Sequence, residues 1–144
     1  MILWRISNYV SLDGEGGMYA SGRWHRAERR IVYTSDQPAS ALIEMVVHLG
    51  PVAKPKFCQL LKIEVPTILL IGNPPPLPSG WQNNSELTQA IGNRWLDGGT
   101  SAILAVPSAI VPEAFNYLVN PTHLESKQLK ILAVQSVPLD TRLK

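Results

Sequence analysis

Hydrophobic residues recur along this chain with two different spacings, and each spacing predicts a different kind of element. Helical spacing marks two segments, residues 38–49 and 85–96. Ser35 and Asp36 are suited to cap the first helix, Pro38 fits its first turn, and Gly50 with Pro51 ends it. The residues expected to face the core are Ala39, Leu42, Ile43, Val46 and Leu49 in the first helix, and Leu87, Ile91 and Trp95 in the second.

Alternating or short apolar runs predict the strands. Residues 57–65 show the clearest alternation, with the side chains at odd positions on one face and Lys62 and Glu64 on the other. Strands interleaved with only two helices, without a regular strand–helix–strand repeat, predict an α+β fold in one domain spanning residues 1–144. The other predicted strands are residues 2–6, 30–34, 68–71, 102–106 and 129–137, of which 102–106 is expected to be central.

Composition narrows the classes of protein that fit this pattern. Of the 144 residues, 45% are hydrophobic and 17% are charged, so the chain can bury a core, and its sparse charge suggests that a partner covers part of the surface. A net charge of +2 without a dense basic stripe argues against direct nucleic-acid binding. The single cysteine, Cys58, favours a reducing compartment. No signal peptide or membrane-length apolar run is visible, so we expect a cytoplasmic protein that does not insert into a membrane.

Polar side chains that interrupt the apolar pattern form the candidate site. Glu44 is either an exposed carboxylate on the polar edge of the first helix or a carboxylate at the floor of a cleft, where it would stabilise a positively charged sugar carbon. Tyr33 is either a packing residue of the preceding strand or a ring that stacks on a cationic pyridinium. Arg23 is either a surface charge or a bidentate grip on a diphosphate.

Two further residues complete the set. Arg5 is a cation in an apolar strand, and it therefore needs an anionic partner, either a carboxylate or a bound phosphate. Ser108 follows an apolar strand and reads as a turn or cap residue, because no Gly-x-Ser-x-Gly elbow surrounds it.

The histidines and Cys58 lack the spacing of metal ligands, so no metal site is expected. Phosphate-binding glycine motifs of the Walker and Rossmann types are also missing.

Seven segments, taken in order, resemble the RES-domain toxins of RES–Xre toxin–antitoxin pairs, a family named for an Arg, Glu and Ser set. The resemblance covers nearly the whole chain, and the order and spacing of the segments carry it more than any single motif does. The segments are residues 13–17 (Asp-Gly-Glu-Gly-Gly), 22–25 (Gly-Arg-Trp-His), 31–35 (Ile-Val-Tyr-Thr-Ser), 41–44 (Ala-Leu-Ile-Glu), 92–96 (Gly-Asn-Arg-Trp-Leu), 106–112 (Val-Pro-Ser-Ala-Ile-Val-Pro) and 116–123 (Asn-Tyr-Leu-Val-Asn-Pro-Thr-His).

The resemblance implies an ADP-ribosyltransferase-like fold, with a mixed β-sheet core and a few helices. It also implies that NAD is a substrate, cleaved at the nicotinamide–ribose bond with water, phosphate or a protein as acceptor. An Xre-type antitoxin that blocks the pocket is the implied partner. The residues assigned by the resemblance are Arg23, Tyr33, Glu44 and Ser108 as catalytic, with Arg5 and Trp24 in NAD binding.

One departure from the family pattern is visible, because His25 stands where the loop usually reads Gly-Arg-Trp-Asn. The hydrogen bonding of this loop is therefore expected to differ, while activity is expected to survive. Two alternatives stay open: an ADP-ribosyltransferase that modifies a specific cellular protein, and a non-catalytic module that binds a partner segment in the same cleft.

Overall fold

A seven-stranded mixed sheet organises the molecule in the computed structural model, which describes residues 1–51 and 54–143. The strand order is β4-β5-β6-β2-β1-β3-β7, in which β4 and β5 are parallel and the other neighbours are antiparallel. The elements are β1 Ile2–Ser7, α1 Gly16–Tyr19, β2 Val32–Ser35, α2 Pro38–Leu49, β3 Phe57–Glu64, β4 Ile71–Gly72, a 3-10 turn Trp81–Asn83, α3 Ser85–Gly98, β5 Ile103–Pro107, β6 Phe115–Val119, a 3-10 turn Leu124–Gln128 and β7 Lys130–Pro138.

The two predicted helices are present at nearly the predicted positions. The first has a different N-cap residue and buries a different face from the one predicted. Gln37, rather than Ser35 or Asp36, precedes α2, and its side chain makes no capping hydrogen bond. Ala39 and Ile43 are exposed, so their assignment to the core is wrong. The reason is that α2 packs on β1 and β2 through a face that includes Ala41 and Val46. Among the described residues, no helix is both long and apolar enough to cross a membrane.

The strands agree less closely with the sequence pattern. β6, Phe115–Val119, was not predicted, and it lies between β2 and β5 near the middle of the sheet. Because β6 occupies that position, β5 is second from one edge and not central as expected. The predicted strand at 68–71 shrinks to β4, and Ile68 is 81% exposed.

Two apolar cores cover the two faces of the sheet. Alternation along a strand sends neighbouring side chains to opposite faces, so Val32 joins one core while Tyr33 packs against the other. The cross-strand pairs Tyr33–Leu118 and Ser35–Asn116 put Ser35 and Asn116 on the same face as Tyr33. This face carries the polar side chains of the site. The first core includes Leu3, Val32, Leu61, Ile63, Ile103 and Val119, and the second Trp24, Ile31, Trp95, Leu104, Val106 and Leu118.

Candidate active site

The main cavity lies where two neighbouring strands of the sheet separate. β1 and β2 are paired at Trp4 and Ser35. Beyond this pair, residues 5–7 of β1 and 33–35 of β2 line a cavity of about 650 Å³, which α2 and residues of the loop before β2 also line. Pockets for small molecules commonly measure roughly 300–1,000 Å³. The charged and titratable side chains that line it are Arg5, Tyr9, Arg23, His25, Tyr33, Glu44 and His48.

The Glu44 carboxylate is held in place from the side of β5. Ser108 Oγ donates a hydrogen bond of 2.8 Å to Glu44 Oε1. The same Oγ accepts hydrogen bonds from the main-chain N–H groups of Ile110 and Val111, each at 3.1 Å. Because the backbone fixes the position of Oγ, the hydroxyl proton of Ser108 is directed at the carboxylate. Ser108 therefore orients Glu44.

The side chain of Asn116, supported by Ser35 of the neighbouring strand, holds the same carboxylate oxygen. Asn116 Nδ2 donates to Glu44 Oε1 at 2.8 Å, and Ser35 Oγ donates to Asn116 Oδ1 at 2.8 Å. Because a carboxylate only accepts hydrogen bonds, the NH2 end of the Asn116 amide faces Glu44, and its oxygen is left to accept from Ser35. Two donors converge on Oε1, and such charge-assisted hydrogen bonds are among the strong ones in proteins.

Arg23 reaches the cavity from a short loop that is hydrogen-bonded to α3. The loop closes on itself, since Gly22 N–H donates to the carbonyl of His25 at 3.1 Å. Thr88 Oγ1 of α3 donates to the Arg23 carbonyl at 2.6 Å. One N–H of the guanidinium donates a hydrogen bond to the carbonyl of Gln82, at 2.8 Å. Its position is thus set by α3 and the turn before it.

Tyr33 links that loop to the sheet. Its hydroxyl accepts a hydrogen bond from the Trp24 main-chain N–H at 3.1 Å and lies 2.7 Å from His25 Nδ1. Burial raises the pKa of the Tyr33 phenol well above its usual value, so the hydroxyl stays protonated. A side chain at position 22 would collide with this hydroxyl, which explains the glycine before Arg23.

Arg5 brings a second guanidinium to the cavity. It donates to Ser7 Oγ at 3.1 Å. Within the part of the chain that the structure describes, its buried Nε has no hydrogen-bond partner. Burial lowers the pKa of Arg5, and the nearby carboxylate of Asp13 partly offsets this effect. A buried donor without a partner is costly, and an anionic ligand would satisfy it.

Trp24 does not lie among the residues that line the cavity. Its side chain is 2% exposed and packs in the second core, with its ring 5.9 Å from that of Trp81. The indole packs in the second core, and the Trp24 main-chain N–H donates to the Tyr33 hydroxyl, so the binding of NAD by Trp24 stays a prediction. Apolar burial is the stronger drive for a large aromatic side chain in this position.

The structure also brings residues to the site that the sequence analysis did not single out. Asn116 and Ser35 hold Glu44, and His48 lines the cavity. A helical signal for His48 was available, because it follows Glu44 by four residues and so lies one turn along α2. The described residues include no group of three or more His, Cys, Asp or Glu side chains that could hold a metal ion.

Comparison with known proteins defines the class to which this fold and cavity belong. The family model for the RES domain matches residues 2–141, and the chain therefore belongs to the RES domain family. The resemblance drawn from the sequence is confirmed.

Individual relatives agree with this assignment. The chain is 45% identical over 145 residues to "Toxin Res" of Pseudomonas putida (strain KT2440), covering 99% of both chains. It is 34% identical to the "Prs ADP-ribosylating toxin" of Sphingobium sp. (strain YBL2), covering 97% of this chain and 94% of that one.

A solved structure extends the comparison to the fold. The chain resembles a chain in the crystal structure of the M. tuberculosis MbcT–MbcA toxin–antitoxin complex, with a TM-score of 0.76 and 16% identity over 95% of this chain and 84% of that one. At this identity the likeness concerns the fold, and the expected α+β fold is confirmed.

Proposed function

We propose that this protein is the toxin of a toxin–antitoxin pair and that it cleaves the bond between nicotinamide and ribose in NAD. The observation that carries the proposal is one cavity in which a carboxylate, Glu44, with one oxygen held by two donors, shares the walls with two guanidinium groups, Arg5 and Arg23. The names of the two relatives, Toxin Res and Prs ADP-ribosylating toxin, support the same proposal.

The two arginines are suited to the diphosphate of NAD. A guanidinium offers a planar fork of N–H donors that matches phosphate oxygens, and it keeps its charge under all ordinary conditions. Among the described residues, the buried Nε–H of Arg5 has no hydrogen-bond partner, and one N–H of Arg23 donates to the Gln82 carbonyl. In the proposed complex both guanidinium groups bind the diphosphate and thereby fix the nicotinamide ribose near Glu44.

The reaction requires mainly that the protein place a negative charge near the ribose carbon. When the C–N bond breaks, its electron pair leaves with the nicotinamide nitrogen, so the leaving group departs neutral and needs no general acid. Positive charge then develops on the ribose carbon. Glu44 supplies the opposite charge, and Ser108 and Asn116 keep its carboxylate oriented, which is the preorganisation that stabilises a transition state.

Tyr33 forms part of the wall beside this carbon. Its hydroxyl is occupied by the loop, which leaves the ring as the part that meets the ligand, and an aromatic ring attracts a cationic pyridinium. After cleavage the ribose carbon is attacked by an acceptor that loses a proton. Water gives ADP-ribose, inorganic phosphate gives ADP-ribose 1″-phosphate, and a protein side chain gives an ADP-ribosylated protein.

A second candidate function is transfer of ADP-ribose to a specific protein. The relative from Sphingobium favours it, because that protein is named an ADP-ribosylating toxin and is 34% identical over nearly the full length. The same cavity would serve both reactions, since cleavage of NAD is common to them.

An antitoxin is the proposed partner. The solved relative is the toxin of a toxin–antitoxin complex, which supports a protein that neutralises this chain. We propose an Xre-type antitoxin that covers the cavity and excludes NAD, and a cytoplasmic setting where the NAD pool is available. A non-catalytic module would bind the partner in this cavity without turning over NAD.

The experiment that tests the proposal is an NMR time course of NAD with the purified chain, with and without inorganic phosphate. Proton spectra report free nicotinamide, and phosphorus spectra distinguish ADP-ribose from its phosphorylated form. Turnover supports the proposal, and the phosphate dependence identifies the acceptor. Mass spectrometry of a lysate treated with the chain and NAD tests protein transfer. Intact NAD in every sample, with a folded chain, would reject both enzymatic functions.

A further inference from the structure

His25 is buried beside the cavity, and both nitrogens of its ring have partners. The residue is 2% exposed. Its Nε2 lies 3.2 Å from the Gly17 carbonyl, and its Nδ1 lies 2.7 Å from the Tyr33 hydroxyl. A carbonyl only accepts hydrogen bonds, so Nε2 carries a proton, and in the neutral ring Nδ1 then carries a lone pair.

This tautomer fixes the direction of each hydrogen bond around Tyr33. The phenol O–H donates to Nδ1 of His25, and the phenol oxygen accepts the Trp24 main-chain N–H. The same hydroxyl lies so close to Gly22 that no side chain fits there. Arg23 stands between Gly22 and Trp24, so its place in the cavity wall depends on this contact.

We propose that neutral His25 is a positioning residue, which holds the Tyr33 hydroxyl and thereby keeps the loop of Arg23 in the form that binds NAD. The inference rests on the proposed function for its consequence in turnover, whereas the hydrogen-bond arrangement is independent of it. His25 touches neither NAD nor the ribose carbon in this account, and it acts through Tyr33 and the loop.

A second proton on His25 would disturb the arrangement. Nδ1–H and the Tyr33 O–H would then both be donors facing each other, and one of them would lose its partner in a buried site. Burial lowers the pKa of His25, and the Gly17 and Ala20 carbonyls partly oppose this. Electrostatic interactions with His48 and Arg29 lower the pKa of His25 further. The neutral form therefore prevails at neutral pH and is lost on acidification.

The first test reads the tautomer directly. Long-range 1H–15N NMR of the labelled full chain should show His25 with a protonated Nε2 and an unprotonated Nδ1 at about pH 7, assigned by loss of the signal in His25→Asn. Tyr33→Phe removes the donor to Nδ1, so the pKa of His25 should rise. An Nδ1–H tautomer, a charged ring at neutral pH, or an unchanged pKa in Tyr33→Phe would overturn the proposal.

The second test reads the consequence for catalysis. kcat and KM for nicotinamide release are measured between about pH 5 and pH 8 in the wild type, in His25→Asn and in His123→Asn. Asn offers an acceptor oxygen that does not titrate. KM should therefore rise on acidification in the wild type and should not rise in His25→Asn. His123 precedes the 3-10 turn Leu124–Gln128 and is not among the residues that line the cavity, so His123→Asn should behave like the wild type. Superimposable pH profiles of His25→Asn and the wild type would overturn the proposal.

The two tests also separate this inference from the proposed function. A wild type that does not turn over NAD but shows the expected tautomer would reject the function and keep the arrangement of His25. A wild type that turns over NAD with His25 charged or in the other tautomer at neutral pH would do the reverse. If His25→Asn does not fold, the rise of the His25 pKa in Tyr33→Phe decides the question alone.

Discussion

The Glu44 carboxylate depends on two uncharged side chains that come from far along the chain. Asn116 is 72 residues away and Ser108 is 64 residues away, and both donate to the same oxygen. An ionised acceptor makes each of these hydrogen bonds stronger than a neutral pair. What a negative charge contributes to catalysis depends on its position, so in the proposed reaction Ser108 and Asn116 would contribute by holding the Glu44 carboxylate in place.

Removing the hydrogen bond from Asn116 to Glu44 should lower kcat more than it changes KM. Asn116→Ala deletes a hydrogen bond to a charged group, worth about 1.5–3 kcal/mol, which corresponds to roughly 10–100-fold in rate if it is felt in the transition state. Ser35→Ala should cause a smaller loss of the same kind, because the amide of Asn116 is then free to turn. Steady-state kinetics of nicotinamide release measures both.

Asn120→Ala is the matched control for this prediction. Asn120 is 2% exposed, and its side chain forms hydrogen bonds with the Leu96 carbonyl and with Thr122 and none with Glu44. It should lose stability without losing turnover per folded molecule. Equal kcat losses in Asn116→Ala and Asn120→Ala would mean that Asn116 acts through general stability.

At the scale of elements, the loop of Arg23 rests on α3. Gly92 of this helix lies against the Trp24 carbonyl, so closely that a Cβ would overlap the backbone. Gly92→Ala should therefore destabilise the protein by about 1–3 kcal/mol, the usual cost of overpacking, and it should raise KM for NAD because the loop must move. Denaturant unfolding and steady-state kinetics measure the two effects.

A second glycine of the same helix provides the control. A Cβ at Gly98 would meet nothing within 4 Å, and the residue has helical conformation near the end of α3. Gly98→Ala should stabilise the protein by about 0.5–1 kcal/mol, because alanine favours the helix and restricts the unfolded chain. If Gly92→Ala were as stable as Gly98→Ala, the close contact with Trp24 would not hold in solution.

Elements were predictable from the sequence where the periodic signal is long. α2 and α3 each span a dozen or more residues, and the pattern located both within two or three residues of their ends. β6 is five residues long, and its polar Asn116 faces the site and not the solvent, so hydrophobic alternation gave no clear signal. The face of α2 was misjudged because its inner side lines a polar cavity near Glu44 as well as the core.

The site was predictable in part, for a related reason. Arg5, Arg23, Tyr33 and Glu44 stood out as polar residues in apolar surroundings, and the structure brings all four to one cavity. Trp24, which follows Arg23 in the same motif, packs in the second core and is not among the residues that line the cavity, because neighbouring residues of a loop point in different directions. The bonds among Ser35, Asn116 and Glu44 join strands and a helix that are distant in sequence, and no local pattern records them.

At the scale of the whole molecule, a toxin that acts by cleaving NAD should stop growth only when its active site is intact. Strong expression of the wild type should arrest growth, since NAD loss affects all of metabolism, and Glu44→Gln should be harmless at equal soluble level. Co-expression of the antitoxin should restore growth. Viable counts, with the protein quantified by immunoblot, measure this. Arrest by soluble Glu44→Gln would favour the non-catalytic module, in which binding alone causes the effect.

The most direct test of the account compares nicotinamide release from NAD by wild type and Glu44→Gln, with Glu64→Gln as a variant of an exposed carboxylate at the end of β3. All three should unfold at similar denaturant concentrations. The wild type and Glu64→Gln should release nicotinamide, and Glu44→Gln should release it at least about a hundredfold more slowly, because removal of a preorganised electrostatic group typically costs that much. Equal rates in Glu44→Gln and the wild type would contradict this prediction.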